Sequence, residues 1–221
     1  MNKFTLTKLK NIITRRIYIE NGILTMIPEN ITFDSMDYKL VLPSAFDVWR
    51  KRIYDSVNIN PDDIVFDIGA GIGIYTIRAA LKAKFVFAIE LDPSNYKYLS
   101  KNIASNNQSN VRRFNTKLGF GANIKTLDMF VKQHNLKRID VIKLSVASPK
   151  EIIIGGQESI RRFKPRIIVN LAHNAKTTIG TVTKSLDWLD YKMINKNQVL
   201  YAEYKLPEAD KKYLALGLDK T

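Results

Sequence analysis

The sequence predicts an α/β domain of Rossmann-like architecture. Its sheet is mostly parallel, helices cover both faces, and a C-terminal hairpin adds one antiparallel strand. Three observations lead there. Strand-like and helix-like stretches alternate from about residue 61 to residue 191, a pattern that builds a parallel sheet. The first of these strands, IVFDIG at 64–69, is an apolar run ending in glycine, as strands buried on both faces read. The chain has 221 residues, 45% of them hydrophobic, enough for one sizeable domain and a small appendage.

Residues 1–60 read as a helix-and-ribbon appendage and residues 61–221 as the main domain. Residues 1–16 carry Lys3, Lys8, Lys10, Arg15 and Arg16 and no acid, while Phe4, Leu6, Leu9, Ile12 and Ile13 fit loosely on one helix face. Such a helix packs on its own domain or contacts RNA or a membrane surface. Apolar positions alternate around Asn21-Gly22, a hairpin dipeptide. Residues 31–42 read as a second ribbon. Residues 44–57 read as a helix capped by Ser44, with Phe46, Trp49 and Ile53 spaced by three and four. Pro61 then breaks the chain.

In the main domain, strands are expected at 64–69, 85–90, 110–115, 139–146 and 165–171. Helices are expected at 74–83, 94–105, 126–135, 149–163 and 177–191. Ser94 and Thr126 are the expected caps, and Gly155-Gly156 weakens the middle of the fourth helix. Residues 192–204 read as the closing hairpin.

Composition excludes several chemistries. There is no Cys, which removes disulfides, thiolate zinc sites and cysteine nucleophiles. His134 and His173 are the only histidines, which removes a histidine-rich metal site. No apolar run approaches the roughly 20 residues of a membrane span. No apolar core with a small-residue cleavage site follows the basic N-terminus, so no secretory signal is read, and the expected location is cytoplasmic. Lys and Arg total 35 against 21 acids, a net charge of +14. That excess suits RNA, DNA or an anionic lipid surface; a Lys-rich proteome gives the same balance with no such partner. The oligomeric state is not legible.

The most informative stretch is Asp67-Ile68-Gly69-Ala70-Gly71-Ile72-Gly73, between a strand and a helix. Small residues there let a ligand approach the backbone and the helix N-terminus. The dinucleotide fingerprint needs its third glycine one residue later, and Ile74 stands there. Glu90 closes the next strand, 21 residues after Gly69, where a carboxylate accepts hydrogen bonds from ribose hydroxyls. Asp67 is placed to meet the charged amino-acid end of a cofactor, and its charge suits a nearby sulfonium. Together these favour S-adenosylmethionine. The candidate cofactor residues are Asp67, Gly69, Ala70, Gly71, Gly73, Tyr75, Thr76, Glu90, Leu91 and Asn115.

These residues also carry a resemblance. VFDIGAGIGIYTIRAA and VFAIELDPSNYKYLSKNI resemble the first motifs of class I S-adenosylmethionine-dependent methyltransferases, whose sheet ends in the same antiparallel hairpin. TLDMFV, LKRIDVIKLSV and KPRIIVNL are similar to the FkbM methyltransferase family, and this resemblance covers roughly residues 62–172. The family reads D-V-E-G-x-E where this chain has Ser145-Val146-Ala147-Ser148-Pro149-Lys150; a one-residue slip brings Glu151 into the last acidic position. Asn170 stands where the family has another acid. The cofactor half is therefore kept and the acceptor half rewritten. A second resemblance, to archaeal-type tRNA guanine methyltransferases and their wybutosine-pathway relatives, runs to about residue 106. Their N-P-P-type loop is absent here.

The family resemblance implies O-methylation of a sugar or small metabolite. Loss of the acids removes base and metal-binding capacity, although transfer from a sulfonium rests mainly on positioning and desolvation. The alternatives are an RNA methyltransferase, which the charge favours, and a protein that binds S-adenosylmethionine without turnover. The candidate catalytic residues are Ser145, Lys150 and His173, the last being the one histidine near the expected mouth. The basic run Arg161-Arg162-Phe163-Lys164-Pro165-Arg166 falls at the opposite sheet end, as a solvated turn or an outlying RNA contact.

Overall fold

The structure is a computed structural model, and it describes residues 17–20, 23–26, 31–35, 38–171 and 175–206. The chain opens with a three-stranded antiparallel sheet, β1 (Ile17–Glu20), β2 (Ile23–Met26) and β3 (Ile31–Asp34). Glu20 pairs with Ile23, so the predicted hairpin is present around Asn21-Gly22, two residues that lie outside the described set. The predicted helix at residues 1–16 also lies outside it.

Residues 38–45 form helix α1 (Tyr38–Ala45), followed by a π-helical turn at Phe46–Arg50. This corrects two expectations. The second ribbon stops at Asp34, and the helix begins six residues before Ser44, which sits inside it rather than capping it. Alternation in ITFD carried a true strand signal, but the apolar residues of YKLVL follow helical spacing equally well.

Beyond Pro61 the alternation holds. Strands β4 (Ile64–Ile68), β5 (Phe85–Glu90), β6 (Val111–Asn115), β7 (Val141–Leu144) and β8 (Arg166–Asn170) are parallel. The hairpin β9 (Tyr191–Lys196) and β10 (Val199–Tyr204) adds β10 antiparallel to β8. The strand order is β6-β5-β4-β7-β8-β10-β9. Helices α2 (Ile74–Ala80), α3 (Pro93–Ser105), α4 (Leu127–Gln133), α5 (Pro149–Ile154), α6 (Gln157–Phe163) and α7 (Ala175–Asp187) cover it. Gly155-Gly156 splits the predicted fourth helix into α5 and α6. Thr126 caps α4 by accepting from Met129 N–H at 3.1 Å. Asp92, not Ser94, caps α3: its carboxylate accepts from Asn95 N–H at 2.7 Å, and Pro93 takes the first helical position.

Two apolar clusters sit on the two sheet faces. On one, Phe66, Phe87 and Phe114 stack in series, and Phe130 of α4 meets Phe66 and Phe114 edge-on. On the other, Val65, Val86, Val141 and Ile168 pack with Leu24, Phe33, Trp49 and Tyr54 from the N-terminal segment. Described residues between Leu24 and Val57 thus supply part of one sheet face's cover. Trp49 Nε1 donates to the Ile74 carbonyl at 3.3 Å, and Arg78 Nη2 donates to both Asp55 carboxylate oxygens at 2.7 and 2.8 Å.

Asn102 is the key polar joint of this layer. Its Oδ1 accepts from Asp34 N–H at 2.8 Å, and its Nδ2 donates to Asp34 O at 3.0 Å and Ile72 O at 2.9 Å. One buried side chain of α3 therefore holds both the ribbon and the turn after β4. Asn102→Ala leaves three backbone groups without that partner. It should lower unfolding free energy by about 2–3 kcal/mol; urea denaturation with an unchanged midpoint would contradict this.

Candidate active site

The turn between β4 and α2 builds the site. Gly69 and Gly71 have φ of +78° and +57°, and Gly69 N–H and Ala70 N–H both donate to the Ile89 carbonyl. A Cβ on Gly69 would stand 2.2 Å from the Ser145 carbonyl oxygen, so the chain needs glycine there for backbone approach as well as for φ. A Cβ on Gly71 would meet nothing within 4 Å: its side faces open space. That space is a cavity of about 620 Å³ over the C-terminal ends of β4, β5, β7 and β8, where ligands bind in open α/β sheets.

The expected cofactor residues divide into wall and frame. Gly69, Ala70, Gly71, Tyr75, Glu90 and Leu91 line the cavity. Glu90 is held by two backbone donors, Gly71 N–H at 2.7 Å and Asp92 N–H at 2.8 Å. Asp67 and Thr76 lie beneath the wall: Thr76 Oγ1 donates to Asp67 Oδ2 at 2.6 Å, and both residues are fully buried. Gly73, at φ +98°, precedes α2. Asn115 donates to the carbonyls of Glu90 and Leu91 at 2.9 and 3.0 Å, which fixes the end of β5; its neighbours Thr116 and Lys117 line the cavity instead.

The residue that sequence reasoning missed is Lys143. Its ammonium donates to Asp67 Oδ1 at 2.8 Å and to Gly69 O at 3.1 Å, its side chain is 5% exposed, and it lines the cavity. Asp67 does not. A cation therefore separates the buried acid from the ligand space. The signal was the lysine inside the strand IDVIKLSV, where an apolar residue is the rule.

On the acceptor side, Ser145 lines the cavity, and Asn170 Nδ2 lies 3.4 Å from its Oγ and 2.9 Å from Tyr54 Oη. Lys150 is exposed in the first turn of α5 and lies outside the cavity wall, whereas its neighbour Glu151 is in it. His173 lies outside the described residues. Burial pushes the phenols of Tyr54 and Tyr75 well above the usual tyrosine value, with the Asp67 charge adding to it, so both stay neutral. Tyr75 Oη is buried with no hydrogen-bond partner among the described residues.

The basic run of 161–166 is at the opposite sheet end. Arg166 pairs with Asp63 at 2.5 Å, Arg161 lies over the Trp188 ring and Lys164 over the Tyr204 ring. At least part of that charge is used within the domain.

Gly69→Ala should destabilise by on the order of 3 kcal/mol or more through collision with β7, and Gly71→Ala by only about 1 kcal/mol of left-handed strain. Equal losses in thermal or chemical unfolding would contradict the tight approach at Gly69.

Residues 26–117 match the family model described as the TRM5/TYW2 methyltransferase domain. A Pyrococcus abyssi tRNA (guanine(37)-N(1))-methyltransferase, Trm5b, is 33% identical over 99 residues, 45% of this chain and 27% of its own length. An uncharacterized protein of Methanocaldococcus jannaschii is 51% identical over 53 residues, 24% of this chain and 20% of its own. The chain thus spans about a fifth to a quarter of the length of these relatives. The solved structure of methyltransferase FkbM from Methylobacillus flagellatus aligns with a TM-score of 0.56 at 17% identity, over 66% of this chain and 44% of that one. The FkbM likeness is one of fold, while the family match in sequence is to TRM5/TYW2. No described helix is long and apolar enough to cross a membrane. With the sheet order and the turn after β4, these findings give the chain a class I S-adenosylmethionine-dependent methyltransferase fold.

Proposed function

We propose that the chain is an S-adenosylmethionine-dependent methyltransferase whose acceptor is RNA of the tRNA class. The observation that carries this is the TRM5/TYW2 match over residues 26–117, which includes β3, the glycine turn and Glu90. The name of the Pyrococcus abyssi relative and the net charge of +14 support an RNA acceptor over the sugar or small metabolite that an FkbM-like reading implies. In this reading residues 61–221 are the cofactor-binding unit and residues 1–60 its appendage.

The residues present fit the cofactor. The cavity volume is within the roughly 300–1,000 Å³ of small-molecule sites. Glu90 stands ready for ribose hydroxyls at the end of β5, and the open side of Gly71 leaves room at the turn. When bound, the cofactor supplies a methyl group on a sulfonium, already activated toward nucleophiles. The protein then has to orient, exclude water and accept one proton. Ser145, Asn170 and Tyr54 form a polar, uncharged wall at the ends of β7 and β8. Glu151, which also lines the cavity, is the carboxylate available to a proton leaving the substrate.

Incubation with methyl-labelled S-adenosylmethionine and undermethylated tRNA should put label into RNA. Label absent from RNA but present in a carbohydrate or small-metabolite fraction would return the FkbM-like reading. Cofactor binding with no labelled product in any fraction would favour the reading without turnover, which the replacement of acids by Ser145, Ala147 and Asn170 motivates.

A further inference from the structure

We propose that Lys143 is a carboxylate-binding subsite in the floor of the cavity, and that it takes the α-carboxylate at the amino-acid end of the cofactor. The inference rests on the S-adenosylmethionine reading above and assigns the polarity of that end.

Lys143 and Asp67 face each other across β4 and β7, in register. Both oxygens of the acid are engaged, and burial closes it off. Asp67 Oδ1 accepts from Lys143 and Oδ2 from Thr76, and the side chain has no exposed surface. A ligand ammonium has no route to it. The lysine is unsaturated. An ammonium carries three donors, and two are spent, on Asp67 Oδ1 and on Gly69 O. No third partner is present among the described residues. The remaining N–H belongs to a group on the cavity wall. A buried cation with one donor in hand is matched by an anion with a lone pair, and a charge-assisted bond between them is strong because water is excluded.

Position agrees. Glu90, at the end of β5, marks the ribose end. Lys143 lies one strand beyond β4 on the other side, since the local strand order is β5-β4-β7. The cradle between them is the Gly69–Gly71 turn, whose Gly69 carbonyl Lys143 already holds. An elongated adenosyl amino acid laid across that turn brings its far end to Lys143. Lys143 also sits 5.5 Å from the centre of the Tyr75 ring, so its surroundings on that side are aromatic.

The test compares two ligands that differ only in this group: S-adenosylhomocysteine and its decarboxylated analogue, which keeps the amine. Dissociation constants are measured by calorimetry for the wild type and Lys143→Met. Because Lys143→Met leaves Asp67 buried without its partner, the double variant Asp67→Asn/Lys143→Met is run beside it with a neutral pair. The wild type should prefer the carboxylated ligand by about ten- to hundredfold. Both variants should lose that preference, with the analogue's affinity changed by less than about threefold. Equal losses for the two ligands, leaving the preference intact, would make Lys143 a structural residue and overturn the proposal. So would a wild type that binds both ligands equally. Folded wild-type protein that binds neither would instead overturn the cofactor reading itself.

Discussion

The buried ion pair between Asp67 and Lys143 is the constraint around which the site is built. Two charges side by side at the centre of a parallel sheet are expensive to desolvate. They are tolerated because each carboxylate oxygen and two of the three ammonium donors have a partner: Thr76 on one carboxylate oxygen, Lys143 on the other, and the Gly69 carbonyl on the lysine. The pair joins the ends of β4 and β7 to the first turn of α2. Those three pieces are the ones the glycine turn has to run between. Removing either partner would leave the other charge stranded, at a cost of roughly 3–5 kcal/mol. Geometry at the turn and stability of the sheet are therefore one property.

A second layer of constraint comes from outside the sheet. The ribbon β2–β3 and the segment through Trp49 and Tyr54 cover the sheet face on which Asp67 and Lys143 lie, and Val41, Val48 and Tyr54 line the cavity. Asn102 and Asn106 fasten this cover to α3. Asn106 bonds both backbone groups of Thr32, as Asn102 does those of Asp34. Two amides four residues apart, Asn102 in α3 and Asn106 at its C-terminal cap, thus complete the hydrogen bonding of an edge strand that has no further strand to pair with among the described residues. The cover makes the site a cavity rather than an open sheet edge, which limits the access of water to a bound ligand.

Much of this was legible in the sequence, for definite reasons. Strands buried on both faces announce themselves as apolar runs, so β4, β5, β7 and β8 were readable. The glycine spacing and Glu90 were readable because backbone approach and ribose recognition constrain residue type closely. Segments under competing signals were not. YKLVL fits a strand or a helix by pattern, and it folds as a helix whose Val41 and Leu42 pack against the apolar cluster of that sheet face. Ser94 has the right chemistry for a cap, yet Asp92 takes the role because Pro93 is pre-organised for the first helical position. The partner of Asp67 was hidden for another reason. It lies 76 residues away and is fixed only by the register of β4 against β7. The resemblance to FkbM methyltransferases reflects shared strand and helix order, which the fold comparison bears out, while the sequence match in the N-terminal half follows TRM5/TYW2.

The ligand that fits between Glu90 and Lys143 defines the site. The most direct measurement is competitive calorimetric titration of the purified chain with S-adenosylmethionine and with NAD⁺. Micromolar binding of S-adenosylmethionine that NAD⁺ does not displace is the predicted result. Folded protein that binds NAD⁺ in its place, or binds neither, would contradict it.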